Sequence, residues 1–134
     1  MRSETFRLRT DERLVTDLTE MIAGFAHAEK TDGLLHVFVP HATAGLALLE
    51  TGSGSEGDLR EALDRLLPRE DRYAYRHGSV GHGADHLLPA FVAPSLTIPV
   101  LAGTPQLGTW QSVVLVDPNR DNPERTVVLS FVQA

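Results

Sequence analysis

The sequence has no cysteine, a single lysine and no long apolar run. Without cysteine the chain can form no disulfide, thiolate zinc site or cysteine nucleophile, so histidine and carboxylate side chains are left as metal ligands. No apolar run approaches the length of a membrane span, and residues 1–13 contain no apolar stretch of signal-peptide length. We therefore expect a cytoplasmic protein that does not bind a membrane.

Positive charge is also scarce. Twelve Lys and Arg residues against 18 Asp and Glu residues give a formal net charge of −6. Nucleic-acid binding needs clustered positive charge, so we expect no nucleic-acid partner. The chain has 134 residues, of which 42% are hydrophobic and 22% charged. These values are typical of one soluble globular domain, here 1–134.

Apolar periodicity predicts strands and helices in an order typical of a mostly antiparallel α+β fold. Two helices are predicted over 18–26 and 59–67, capped by Asp17 and Ser55 respectively. A short third helix is predicted over 86–92, capped by Asp85. Strands are predicted at 5–10, 34–39, 45–50 and 125–132, and the continuous apolar run 34–39 is expected to be covered on both faces.

The stretch Ser95–Asp117 has two apolar, β-branched runs on either side of a turn rich in Gly and Pro. This pattern predicts a β-hairpin with a long connection. Counting by two puts Trp110 and Gln111 on opposite faces of the second strand. The simplest interpretation is a core Trp110 beside a solvent-facing Gln111, and the alternative is that Trp110 lines a pocket.

The glycine-rich stretch 75–86 contains three histidines: His77, His82 and His86. His82 and His86 are four residues apart, so a helix would present both imidazoles on one side, although Gly81 and Gly83 argue against a helix that begins before Ala84. Imidazole nitrogen suits zinc, so the cluster predicts a metal site; the alternative is a surface loop. Nearby arginines at 69, 72 and 76 predict either a solvated loop or a site for an anionic ligand.

Another candidate histidine, His41, lies outside that stretch. It follows the apolar run 34–39, and Glu50 lies nine residues later. Nine is an odd interval, so in an unbroken strand these side chains would point to opposite faces. A bend near Gly45, or pairing across two subunits, would be needed to bring them together.

Several of these motifs resemble the YjbQ-like proteins, also called secondary thiamine-phosphate synthases. The resemblance is carried by S-L-x-I-P-V at 95–100, L-G-T-W-Q at 107–111, H-A-T-A-G-L at 41–46 with Glu50, and Tyr75-Arg76-His77 with His86-Leu87. It implies a β-sandwich flanked by helices and assembled as a homotrimer. The sequence departs from the family pattern at Leu49, His82 and Asp117.

The resemblance also implies an activity, in which a pyrimidine diphosphate is joined to a thiazole phosphate. A metal-dependent hydrolase and a non-catalytic small-molecule or metal-binding oligomer are the alternatives. The expected partner is therefore a small-molecule substrate, phosphorylated under the first hypothesis, and the expected cofactor is a divalent metal such as zinc or magnesium. Together with the histidine-rich stretch, the resemblance gives catalytic candidates His41, Glu50, His86 and Gln111, substrate-binding candidates Thr109, Trp110 and Arg76, metal candidates His41, His77, His82 and His86, and supporting positions Asp58 and Arg125.

Overall fold

The structure, a computed structural model, describes residues 1–70, 72–75 and 78–134. Eight strands and three α-helices are found within these ranges, together with a 3-10 helix at Leu88–Ala90. The strands are β1 (Arg2–Arg9), β2 (Val15–Asp17), β3 (Gly33–Phe38), β4 (Gly45–Leu49), β5 (Ser95–Leu101), β6 (Thr104–Pro105), β7 (Ser112–Val116) and β8 (Glu124–Gln133). The helices are α1 (Thr19–His27), α2 (Ser55–Leu66) and α3 (His82–Leu87).

The strands form two antiparallel sheets that pack as a sandwich. One sheet has the order β1-β8-β3-β5-β6 and the other has the order β2-β7-β4. Side chains from both sheets and from α1 fill the core between them. The predicted α+β class, with a mostly antiparallel sandwich flanked by helices, is confirmed.

Strand β7 lies at the centre of the smaller sheet and is covered on both sides. Four consecutive residues, 113–116, are fully buried. Val113 and Leu115 face the core between the sheets, whereas Val114 and Val116 face a second core built with α2 and α3. The continuous apolar run of β7 thus reflects a strand with two apolar faces, as in sheets covered on both sides.

The predicted hairpin over 95–117 is wrong. Strand β5 turns back at Ala102 and Gly103 to pair with the two-residue β6, and β7 pairs instead with β2 and β4 in the other sheet. Ala102 and Gly103 both have positive φ angles, 48° and 80°, which suits a tight two-residue turn. The tight turn ends the first strand pair early, and residues 106–111 then carry the chain to the second sheet.

The helix caps also differ from the prediction. Asp17 does accept a hydrogen bond from the Thr19 N–H, at 2.8 Å. Helix α2, however, begins after Gly54, while the Ser55 hydroxyl donates to the Glu50 carbonyl instead of capping the helix. Helix α3 begins at His82, four residues earlier than predicted, and Asp85 lies inside it. Gly81 makes this early start feasible because its φ of +90° is readily adopted only by glycine.

One face of the larger sheet has no helix or second sheet over it in the described chain. Strand β3 was predicted to be covered on both faces, but Leu34 and Phe38 are 50% and 39% exposed. Along β3 only alternate residues, such as Leu35 and Val37, are buried. Within the ranges that the structure describes, no helix has the length and apolar character needed to cross a membrane.

Candidate functional site

Two of the predicted metal ligands meet on one side of α3. The His82 and His86 Nε2 atoms lie 2.8 Å apart, and both side chains are half-buried. The i,i+4 spacing brings them together because residues four apart lie above one another on a helix. The Tyr75 ring stacks against them, with its centroid 3.9 Å from that of His86 and 5.5 Å from that of His82.

A turn from the other end of the chain contacts the opposite edge of His82. Asp121 Oδ2 lies 2.6 Å from His82 Nδ1, and Asn119 Nδ2 lies 3.1 Å from the same ring atom. The Asn119 amide orientation is fixed because its Oδ1 accepts from the Asp121 N–H and its Nδ2 donates to Asp85 Oδ2. The Ser79 N–H also donates to Asp121 Oδ2, at 3.1 Å, and this hydrogen bond lowers the pKa of Asp121.

The turn is attached to the core through a buried ion pair. Both carboxylate oxygens of Asp117 accept from the Arg125 guanidinium, at 2.6 and 2.9 Å, and Arg125 also donates to Thr43 Oγ1. Asp117 Oδ1 accepts the Asn119 N–H as well. A continuous chain of hydrogen bonds therefore runs from the end of β7 to the histidine pair.

A second ion pair connects α3 to the segment that follows α2. Arg69 donates through both terminal nitrogens to the buried carboxylate of Asp85. A Cβ at Gly81 would come within 2.4 Å of the Arg69 guanidinium, so the glycine gives Arg69 the space to reach Asp85. The Asp85 interaction raises the pKa of Arg69, so Arg69 is charged and already paired.

His41 lies three residues after the end of β3, and its side chain binds a backbone N–H of β8. Its Nε2 accepts the Thr126 N–H at 2.8 Å, so the ring proton of neutral His41 sits on Nδ1. Burial and the nearby Arg125 charge lower the pKa of His41. In this arrangement Nδ1 carries a proton and can donate a hydrogen bond to a substrate, whereas neither ring nitrogen has a free lone pair for a metal. A pocket shared by His41 and His86 stays a prediction; Asp117 and Asn119 connect their surroundings.

Glu50, Gln111, Thr109 and Trp110 lie at the other end of the smaller sheet. Gly45 pairs with Val116 at one end of β4, and Leu49 pairs with Ser112 at the other. The intervening strand is roughly 17 Å long at about 3.4 Å per residue. Within one chain the structure thus brings His82 and His86 together but leaves Glu50 and Gln111 at the opposite end.

The residues at that opposite end lie in exposed loops. Glu50 contacts the Ser53 hydroxyl at 3.3 Å, and Gln111 Oε1 accepts the Gly108 N–H at 2.8 Å. Trp110 is 72% exposed in a turn, so its placement in the core of the chain is wrong. The strand period did not apply there because β7 begins only at Ser112. The catalytic roles of Glu50 and Gln111 and the substrate-binding roles of Thr109 and Trp110 stay predictions.

Sequence reasoning missed Asn119, Asp121 and Asp85 as members of the site. Asn119 and Asp121 are more than 30 residues from the histidines they contact, and no local pattern connects the two segments. The dense polar turn 118–123 was the one available signal. Arg76 and His77, predicted to bind substrate and metal, lie outside the described residues.

The fold and this histidine site define a small α+β sandwich protein, and comparisons with known proteins give its family. A family model described as UPF0047 protein YjbQ-like matches residues 4–134. The UPF0047 protein Rv2556c of Mycobacterium tuberculosis H37Rv is 60% identical over 133 residues, covering 99% of each chain. YjbQ of Salmonella typhimurium LT2 is 34% identical over 131 residues, covering 94% of this chain and 87% of its own. The chain belongs to the YjbQ-like UPF0047 family.

Solved structures agree with this assignment. A hypothetical protein from Aeropyrum pernix K1 superposes with a TM-score of 0.89 at 31% identity over the whole of both chains. A YbjQ-like protein of unknown function from Sulfolobus solfataricus P2 gives a TM-score of 0.88 at 20% identity, over 99% of this chain and 97% of its own, and supports the fold alone.

The lowered pKa of His41 predicts a pH-dependent stability. Unfolded His41 gains a proton near about pH 6.5, whereas folded His41 stays neutral to a lower pH. The unfolded state then binds more protons, so the free energy of unfolding should fall as pH drops below about 6.5. In His41→Gln, whose amide oxygen can accept the Thr126 N–H, that part of the decrease should disappear. Urea unfolding at about pH 7.5 and about pH 5.5 measures it. Equal pH dependence in both proteins would contradict a lowered pKa for the half-buried His41.

Proposed function

We propose that this protein is a small-molecule enzyme in which His82 and His86 hold a divalent metal, with zinc as the first candidate. The observation that carries the proposal is the approach of the two Nε2 atoms to 2.8 Å on one side of α3. Neutral imidazole nitrogen is a preferred zinc ligand, and two histidines four residues apart on a helix can bind one ion together.

The described residues fit a metal in part. Two ligands at about 2.0–2.1 Å from a tetrahedral zinc lie roughly 3.3 Å apart, so the two rings need to separate by about half an ångström. His82 has a carboxylate, Asp121, on its other nitrogen, which is the usual outer partner of a zinc-bound histidine. In the part of the chain that the structure describes, no group of three or more His, Asp or Glu residues is arranged to hold a metal. Further ligands must therefore come from elsewhere, and the predicted ligand His77 lies outside that part.

The remaining groups suit a flat, polar substrate. When bound, the metal supplies Lewis acidity toward a phosphoryl or carbonyl oxygen. The Tyr75 ring lies over the imidazoles and offers an aromatic surface beside them, on which a heterocycle could stack. Glu50 and Gln111 are too far along the smaller sheet to join the site from the same chain, so we propose that they contribute from a second subunit.

Among small-molecule enzymes we propose the reaction that the family resemblance implies. In this reaction a pyrimidine diphosphate is joined to a thiazole phosphate and pyrophosphate leaves. The departing pyrophosphate needs positive charge. Arg69 and Arg125 are committed to buried carboxylates, and Arg72 pairs with Glu70 at 2.8 Å. The charge therefore has to come from the metal or from arginines other than these three, such as Arg76.

Zinc binding tests the metal proposal directly. Titration of the full chain with Zn²⁺ alone should show a bound ion, and the His82→Ala/His86→Ala double variant should lose it because two ligands are removed. Isothermal titration calorimetry measures both, with His27→Ala, at the end of α1, as the histidine control. Equal zinc affinity of the double variant and the parent would contradict a metal held by this pair.

The transfer reaction has its own test. We expect the zinc- or magnesium-loaded protein to convert a pyrimidine diphosphate and a thiazole phosphate into thiamine phosphate and pyrophosphate, and His86→Ala to lose that conversion. Chromatography of the products measures it, with His27→Ala again as control. Release of phosphate without a joined product would favour the hydrolase. Binding without turnover would favour the non-catalytic alternative.

A homotrimer is the assembly that we propose. Support comes from the uncovered face of the larger sheet, where Leu34, Phe38 and Val132 are large, apolar and exposed. Light scattering of the purified protein should give a mass three times the 14.6 kDa of one chain. A mass equal to that of one chain would contradict the trimer, and with it a site completed by Glu50 of a second copy.

A further inference from the structure

We propose that Asp121 is a positioning residue that fixes the orientation and the tautomer of His82. This inference rests on the proposed metal site. It concerns a residue outside the histidine-rich stretch, in the turn between β7 and β8. Its consequence is that this turn, distant in sequence, prepares His82 to bind a metal.

The first step of the argument is the hydrogen bond itself. An ionised carboxylate can only accept, so at 2.6 Å the His82 Nδ1 atom must be the donor. The proton of neutral His82 is then on Nδ1, and the lone pair is on Nε2. That lone pair accepts the His86 Nε2–H at 2.8 Å, and a shared metal would take the place of this proton. Without the carboxylate, Asn119 Nδ2, a donor 3.1 Å from Nδ1, would favour the proton on Nε2 instead.

The second step is that Asp121 is itself held from several sides. The Ser79 N–H donates to the same oxygen, Oδ2, and the Asp121 N–H donates to Asn119 Oδ1. Asn119 is buried and connects both to Asp85 in α3 and to Asp117 at the end of β7. The carboxylate thus has few alternative positions, which is what an orienting group requires.

The third step is the packing around the imidazole. A Cβ at Gly78, whose φ is +84°, would come within 2.5 Å of the His82 ring. The backbone at Gly78 therefore lies close against His82, whose side chain is only 15% exposed. The carboxylate at one edge and the backbone at one side together restrict the rotation of the ring.

The test compares zinc affinity across a matched set of full-length variants. Asp121→Ala should bind Zn²⁺ about 10–100-fold more weakly than the parent, the usual effect of removing an outer partner of a metal ligand. Asp121→Asn keeps an oxygen that can accept the Nδ1 proton and should recover part of that affinity. Glu124→Ala removes an exposed carboxylate that contacts Arg9, and should leave zinc affinity unchanged.

A second measurement separates positioning from a general structural effect. Nitrogen-detected NMR of the imidazoles in metal-free protein should show His82 as the Nδ1–H tautomer in the parent and in Asp121→Asn. In Asp121→Ala the population should shift toward the Nε2–H tautomer, because Asn119 Nδ2 still faces Nδ1 as a donor. Circular dichroism confirms that each variant is folded, and if Asp121→Ala does not fold, the Asp121→Asn spectrum and affinity decide.

The outcomes distinguish this inference from the proposed function. If the parent binds no zinc but His82 is held as the Nδ1–H tautomer by Asp121, the metal function fails while the positioning role stands. If the parent binds zinc and Asp121→Ala binds it equally well with an unchanged tautomer, the positioning role is overturned and the metal function stands.

Discussion

The buried ion pair between Arg125 and Asp117 is the interaction on which the arrangement of the site depends. It joins the end of β7, in the smaller sheet, to β8, in the larger one, and both side chains are almost completely buried. Removing one partner of such a pair leaves an uncompensated charge and typically costs about 3–5 kcal/mol. Because Asp117 also accepts the Asn119 N–H, the same pair fixes the start of the turn that contacts His82.

The site is therefore built from two segments with different tasks. Helix α3 supplies the imidazoles, and its i,i+4 geometry sets their separation. The turn 118–123 supplies polar groups that hold one imidazole and the helix itself, through Asp121 and Asn119. Neither segment is large, and each depends on a charge pair: the buried pair Arg125–Asp117 for the turn, and the partly buried pair Arg69–Asp85 for the helix. Such fixed surroundings favour a preorganised site over one that forms around its ligand.

The sequence predicted well those features that depend on local pattern. The α+β class and the helical stripes of α1 and α2 followed from periodicity. The i,i+4 spacing of His82 and His86 was noted, but His82 was expected to lie before the helix and not in it. The prediction of a hairpin failed because a two-residue turn at Ala102 and Gly103 pairs β5 with β6, and the second apolar run then lies in the other sheet. The predicted start of α3 was wrong because Gly81 was interpreted as a helix breaker, whereas its positive φ suits it to the N-cap position of the helix.

The long-range part of the site could not be predicted in this way. Asp121 reaches His82 across 39 residues, and no period or spacing connects them. Glu50 and Gln111 belong to the motifs that carry the family resemblance, but the antiparallel register of β4 and β7 separates them from His82 and His86. Only the three-dimensional course of the chain decides which polar residues meet, and it divides the expected catalytic set between the two ends of one sheet.

The most direct test of this account is a crystal structure of the zinc-soaked protein, with anomalous scattering measured at the zinc edge. The account predicts an anomalous peak between the Nε2 atoms of His82 and His86, at about 2.0–2.1 Å from each, with Asp121 on His82 Nδ1. A peak elsewhere, or no peak between these two imidazoles at saturating zinc, would contradict it.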